Sequence, residues 1–200
     1  MAIKKRLREK PDVRFLFDMK GVIYDQKWLK KSSNFPLYYM YRGLKEKGEL
    51  RYDITVIPPK MLGKEFTKTK GNCNSNKLQE LYTVLKGKAI FLMQKMIRKA
   101  VKDVVAVKAG RGNWVIVPPD YYVISINPSK NILKLGNWVS QKNKNIYKGI
   151  EIMKGAAYFY TKNGWEKNRN YELRSKRKAP KLRFKKPLLK SPKSLDFLKG

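Results

Sequence analysis

From Tyr52 onward the chain is cut into short apolar runs by turn residues, and that punctuation limits what it can build to strands. Residues 52–58 alternate apolar and polar side chains, and residues 81–85 do so less cleanly. Residues 88–94, 103–108, 113–118, 122–126, 132–135 and 156–161 continue the series, rich in Val, Ile, Tyr and Phe, which suit a pleated surface. Lys86-Gly87, Gly110-Arg111-Gly112, Asn127-Pro128 and Asn163-Gly164 separate the runs as turns. Many short strands at such spacing predict an all-β sandwich or barrel. Helices are expected only around residues 25–31 and 148–154.

Charge divides the chain further. It carries 47 Lys and Arg against 15 Asp and Glu, a formal charge of +32. Such a surface repels itself unless a polyanion neutralises it, which argues against an ordinary metabolic enzyme. Residues 1–14 read as a basic N-terminal arm, 15–166 as the β domain, and 167–200 as a basic extended C-terminal tail. The tail has no period of two or 3.6, and Pro180, Pro187 and Pro192 interrupt either regular structure. Its composition predicts that it orders only against a partner. Histidine is absent, which removes the commonest metal ligand and general base. A single cysteine, Cys73, allows no internal disulfide and fits a reducing compartment. No apolar run approaches the roughly 20 residues of a membrane helix, so no membrane partner is expected.

One block is specific enough to name a family. Residues 55–71 run Thr55-Val-Ile-Pro-Pro-Lys-Met-Leu-Gly-Lys-Glu-Phe-Thr-Lys-Thr-Lys-Gly71, followed by Glu80-Leu-Tyr-Thr-Val-Leu-Lys-Gly87. With Asp18-Met-Lys-Gly21, Asp25-Gln-Lys-Trp28 and Val117-Pro-Pro119, this resembles the archaeal cupin-type glucose-6-phosphate isomerases over residues 15–165. The resemblance implies a cupin-like double-stranded β-helix, a jelly-roll barrel, here with basic N- and C-terminal extensions. It also implies a metal site of three histidines and a glutamate. The matching positions here hold Asn72, Asn74 and Val123 in the histidine places, with Glu80 kept. Neutral amides and an alkyl group are poor partners for a transition metal, so no metal or other cofactor is expected. The family's phosphate-binding positions match at Thr69, Gly71 and Tyr82, which read as a vestigial phosphate pocket, with Lys68 and Lys70 adding positive charge beside it.

Charge and resemblance together predict a catalytically dead cupin that became a structural RNA-binding protein. The expected role is a ribosomal protein in translation, cytoplasmic and ribosome-associated, contacting ribosomal RNA and neighbouring ribosomal proteins. The residues expected to touch RNA are Lys4, Lys5, Arg6 and Arg8 in one arm. In the other they are Arg169, Arg174, Lys176, Arg177, Lys178, Lys181, Arg183, Lys185, Lys186 and Lys190. The alternative is a glucose-6-phosphate isomerase-like enzyme or a sugar-phosphate-binding cupin. The family resemblance also raises a homodimer through the cupin domain.

Overall fold

A computed structural model describes residues 10–199. Lys4, Lys5, Arg6 and Arg8 lie outside the described residues. β1 (Asp12–Phe15) leads through a 3-10 turn (Leu16–Val22) and α1 (Gln26–Lys30) to β2 (Pro36–Lys47) and β3 (Leu50–Ile57). The short strands β4 (Met61–Leu62), β5 (Glu65–Phe66) and β6 (Asn72–Asn74) follow. Then come β7 (Glu80–Lys86), β8 (Lys88–Ile97), β9 (Ala100–Gly110), β10 (Trp114–Val117), β11 (Tyr121–Ile126) and β12 (Leu133–Ser140). β13 (Asn145–Ile146), α2 (Lys148–Ile152), β14 (Tyr158–Thr161), β15 (Gly164–Lys167), α3 (Asn170–Ser175) and β16 (Arg183–Lys185) complete the order.

Two six-stranded sheets carry the fold. The first runs β1-β2-β3-β12-β7-β10 and the second β13-β6-β11-β8-β9-β16, with a small third sheet β15-β14-β5-β4. The chain is all-β with a cupin-like jelly-roll architecture, its strands paired in separate sheets and not closed into one hydrogen-bonded barrel. Ile57, Val84, Leu133 and Leu135 of the first sheet join Ala89, Phe91, Met93, Val105, Val107 and Val123 of the second in one core. The far side of the second sheet is covered as well. Gln94 donates to the Tyr171 hydroxyl at 2.7 Å and accepts from the Ala157 amide at 2.7 Å, so α3 and the segment before β14 lie across it. Among the described residues no helix is long and apolar enough to cross a membrane.

The punctuated runs expected from the sequence are β3, β7, β8, β9, β10, β11, β12 and β14, and the two expected helices are α1 and α2. Asp25 caps α1 by accepting from the Trp28 amide at 3.0 Å. β1 and β2 escaped that reading. β2 opens on Pro36 and is broken by a bulge between Tyr41 and Lys45, so its alternation is interrupted midway.

The C-terminal tail departs most from expectation, because its order comes from the domain itself. β16 runs parallel to β9, with Arg183, Phe184 and Lys185 opposite Val105, Ala106 and Val107. Beyond it, Leu188 and Trp114 exchange two backbone hydrogen bonds of 2.8 Å. Arg183 makes a forked ion pair with Asp103, at 2.6 Å to Oδ2 and 2.7 Å to Oδ1. Leu198 is fully buried beside Leu50 and Leu81 on the outer face of the first sheet, where Trp114 and Trp138 also pack. An edge strand such as β9 offers a row of unpaired backbone groups, and the tail satisfies some of them. Replacing Leu198 by Ala is expected to cost about 2–3 kcal/mol of unfolding free energy through the cavity left against Leu50 and Leu81. Leu189→Ala, at a side chain 80% exposed, is expected to change it by less than about 0.5 kcal/mol. Denaturant melts of the two variants check the pair.

Candidate active site

The strand registers aim a polar patch into the interior. Across β3, β12 and β7, Asp53 lies opposite Asn137, and Asn137 opposite Tyr82. One step along the same face, Arg51 lies opposite Val139, and Val139 opposite Glu80. Side chains on one strand alternate faces, so Arg51, Asp53, Glu80, Tyr82 and Asn137 share the inner face of the first sheet. Met40 and Thr55 form the next row. Tyr38, Arg42, Thr69, Gly71, Asn72, Asn145 and Tyr147 close the cavity around them. Its enclosed part is about 50 Å³, room for a few water-sized groups, and it opens to solvent.

Asp53 is the anchor of the cationic side. Its Oδ2 accepts from Arg51 Nε at 3.1 Å and lies 3.5 Å from Arg42 Nη1, while its Oδ1 accepts from the Gly43 amide at 2.8 Å. Gly43 sits in the β2 bulge with φ +63°, a conformation that favours glycine, and this backbone turn presents its amide to Asp53. Arg42 also pairs with Asp12 at 2.8 Å. Arg51 uses only Nε for these side-chain bonds among the described residues, which leaves its Nη groups uncommitted.

Glu80 is held by one oxygen and free at the other. Its Oε1 accepts from Asn137 Nδ2 at 2.7 Å. Its Oε2 is buried and has no hydrogen-bond partner among the described residues. Burial pushes the Glu80 carboxyl up to about 7; the Tyr82 hydroxyl is the main opposing influence, the Asp53 charge adds to the shift, and Arg51 and Asn74 oppose it more weakly. The Tyr82 hydroxyl is pushed well above its ordinary value by burial and by the Glu80 charge beside it, so it remains a proton donor at neutral pH.

The positions singled out in the sequence fall around this cavity. Thr69 Oγ1 accepts from the Ser125 amide at 2.9 Å, which leaves its own proton to donate. Gly71 has φ +90°, and a Cβ there would stand 2.7 Å from Ile124 Cγ1, so glycine is required. Thr69, Gly71 and Tyr82 do converge on one pocket. The two lysines expected to charge it do not. Lys68 is buried elsewhere, its Nζ 2.6 Å from Glu65 Oε2 and donating to the Val22 carbonyl at 2.8 Å. Lys70 Nζ is drawn to Glu151 at 2.6 Å. Arg42 and Arg51 bring the cations into the lining, and the sequence reading missed both. Arg51 and Asp53 sit at alternate positions of β3 and are its only charged residues, which is the one signal that could have found them.

The residues that the resemblance sets in metal-ligand places bond to other amides or carry no donor atom. Asn72 Nδ2 donates to Asn145 Oδ1 at 3.2 Å, and Asn143 Nδ2 donates to Asn74 Oδ1 at 3.0 Å, so these amides satisfy one another. Val123 lies opposite Asn72 in the sheet register and offers no donor atom. Among the described residues no three His, Cys, Asp or Glu side chains gather to hold an ion. One carboxylate, mutually bonded amides and an alkyl group do not fit a divalent transition metal. Cys73 is buried, and burial pushes its thiol up to about 11, far from a thiolate ligand at neutral pH.

The family model for glucose-6-phosphate isomerase (GPI) matches residues 13–176. The chain belongs to this family. A glucose-6-phosphate isomerase of Pyrococcus abyssi is 41% identical over 88 residues, which cover 41% of this chain and 47% of that protein. One from Pyrococcus furiosus is 34% identical over 125 residues, covering 59% of this chain and 64% of the relative. The chain therefore spans about half to two thirds of the length of the curated relatives it matches. Among solved structures, a cupin superfamily protein from Desulfitobacterium hafniense has a TM-score of 0.35 and 10% identity, covering 52% of this chain and 76% of the other. At that score the likeness carries no weight beside the strand topology itself.

Membership in the glucose-6-phosphate isomerase family corrects the functional expectation drawn from charge. The relatives named are isomerases, and none points to ribosomes, RNA or translation. A ribosome-associated, non-enzymatic RNA-binding protein is therefore not supported. The tail cations Arg169, Arg174, Lys176, Arg177, Lys178, Lys181, Arg183, Lys185, Lys186 and Lys190 are all exposed, and Arg183 is committed to Asp103.

The raised Glu80 carboxyl has a stability consequence with a definite sign. A carboxyl raised from 4.5 to about 7 favours folding as its proton is taken up, so its buried charge costs most above pH 7. Glu80→Gln removes that charge. The variant is expected to be more stable than the natural chain by on the order of 2–3 kcal/mol near pH 8, the advantage shrinking toward zero as pH falls to about 4.5. Paired thermal melts across that range check the sign.

Proposed function

We propose that the chain binds a phosphorylated sugar at the open mouth of this cavity, its reacting carbons reaching inward to Glu80, and interconverts its aldose and ketose forms, with glucose 6-phosphate and fructose 6-phosphate as the pair to test. The supporting observation is Glu80, a buried carboxylate with one oxygen fixed by Asn137 and the other unpartnered inside a cavity lined by hydroxyl and guanidinium donors. Family membership supplies the substrate class.

Aldose–ketose isomerisation moves one proton between neighbouring carbons and one between their oxygens. In this reading the open-chain sugar presents C1 and C2 to the free Oε2 of Glu80. The carboxylate takes the proton from C2, electrons shift to give an enediol, and the same carboxyl returns the proton to C1. The hydroxyl proton on O2 passes to O1 as the C2 carbonyl forms, so no co-reactant is consumed. Tyr82, kept neutral by its surroundings, donates a hydrogen bond to the sugar oxygens. Thr69, with Tyr38 and Tyr147 on the same lining, supplies hydroxyl donors to the phosphate, and Gly71 keeps the backbone close enough for the phosphate to approach. Asn137 is a positioning residue that acts through Glu80.

Incubating the full chain with glucose 6-phosphate is expected to yield fructose 6-phosphate, measured by coupled oxidation of the remaining aldose. Glu80→Gln is expected to lower kcat by about 10²–10⁴-fold, the range for a positioned acid–base group, while the folded protein becomes more stable. A Glu80→Gln protein that turns over like the natural chain would show that the proton moves elsewhere.

A further inference from the structure

An isomerisation through an enediol develops negative charge on a substrate oxygen, and something at the site must stabilise it. A divalent ion is one solution. The residues of this chain do not fit one, since Asn72 and Asn74 bond to other amides and Val123 has no donor. The site needs positive charge from another source. Arg51 stands in register with Glu80, two strands away across Val139, which places their backbones roughly 9–10 Å apart on the inner face. A small substrate lying over Val139 would reach both side chains. Asp53 holds Arg51 by Nε alone, which fixes the guanidinium and leaves its Nη groups unbonded among the described residues. The side chain is 22% exposed, so it reaches the cavity from a largely desolvated position.

Resting on the isomerase reading above, we propose that Arg51 is a catalytic residue: it donates from Nη to the oxygen that becomes the enediolate, and the site turns over without a divalent metal. Glu80 carries the carbon-bound proton, Arg51 balances the oxyanion, and both return to their starting states when the proton is delivered. Asp53 and Arg42 are positioning residues, the first orienting the Arg51 fork and the second sharing the Asp53 charge.

The test uses the full chain before and after exhaustive chelation, with metal content measured directly. Turnover of glucose 6-phosphate is expected to survive chelation in protein carrying no stoichiometric divalent ion. Thermal stabilisation by the sugar phosphate is expected to survive it too. Arg51→Met is expected to lower kcat by roughly 10²–10³-fold, the usual loss when one oxyanion donor is removed, with the sugar-phosphate stabilisation retained. Arg51→Lys is expected to recover part of that loss, which separates a charge role from a folding defect. Loss of turnover on chelation, restored by manganese at one ion per chain, would overturn the metal-free site and leave the isomerase reading standing. Full kcat in Arg51→Met would overturn the arginine role alone. Absence of both turnover and sugar-phosphate stabilisation before chelation would overturn the isomerase reading, and this inference with it.

Discussion

Two carboxylates inside a β-sandwich set the terms for everything around them. Asp53 and Glu80 face an interior otherwise built from Leu, Ile and Val, where an unpaired charge is expensive. The fold handles them differently. Asp53 receives two guanidinium groups and a backbone amide, the amide made available by the β2 bulge at Gly43. Glu80 receives one amide from Asn137 and keeps a bare oxygen. Full satisfaction makes Asp53 structural, whereas partial satisfaction leaves Glu80 available to chemistry. A third buried carboxylate, Glu65, behaves like Asp53. It is held by Lys68 and the Tyr24 amide, and so ties the segment before α1 to the short strands after β3.

The architecture was legible because strand punctuation is a local signal. Turns at Gly87, Gly112, Pro128 and Gly164 bound runs whose branched and aromatic side chains suit only a sheet. Where the signal is not local, the reading failed. β2 carries its alternation across a bulge, so Arg42 emerges beside Asp53 only because Gly43 re-aims the chain. α3 lies where composition predicts an irregular basic tail, yet Tyr171 at its start is almost fully buried against Gln94. A short helix of that kind is stabilised by the one aromatic it buries, a tertiary fact absent from its own composition.

The site divides along the same line. Thr69, Gly71, Glu80 and Tyr82 lie within one stretch of sequence and could be picked out together. Arg51, Asp53 and Asn137 reach the same cavity through cross-strand register, which pairs residue 53 with 137 and 137 with 82. No spacing in the sequence announces that pairing. Lys68 and Lys70, near in sequence and of the right sign, were the natural candidates to charge the pocket. Strand alternation and two acids, Glu65 and Glu151, draw them away.

Net charge misled for a related reason. A count of +32 describes the field outside the molecule, and it is carried by side chains such as those of the tail, which are exposed. It does not describe the interior, where Asp53, Glu65 and Glu80 are three of only 15 acids in the chain. Each of these three has partners of its own inside: Arg51 and Gly43 for Asp53, Lys68 for Glu65 and Asn137 for Glu80. The outer field and the inner site also need not compete. A phosphorylated sugar is itself an anion, and a surface of one sign raises the local concentration of the opposite charge and speeds its encounter. If the isomerase proposal holds, the excess of lysine and arginine that reads as a demand for a polyanion would, by the same electrostatics, draw in a small one.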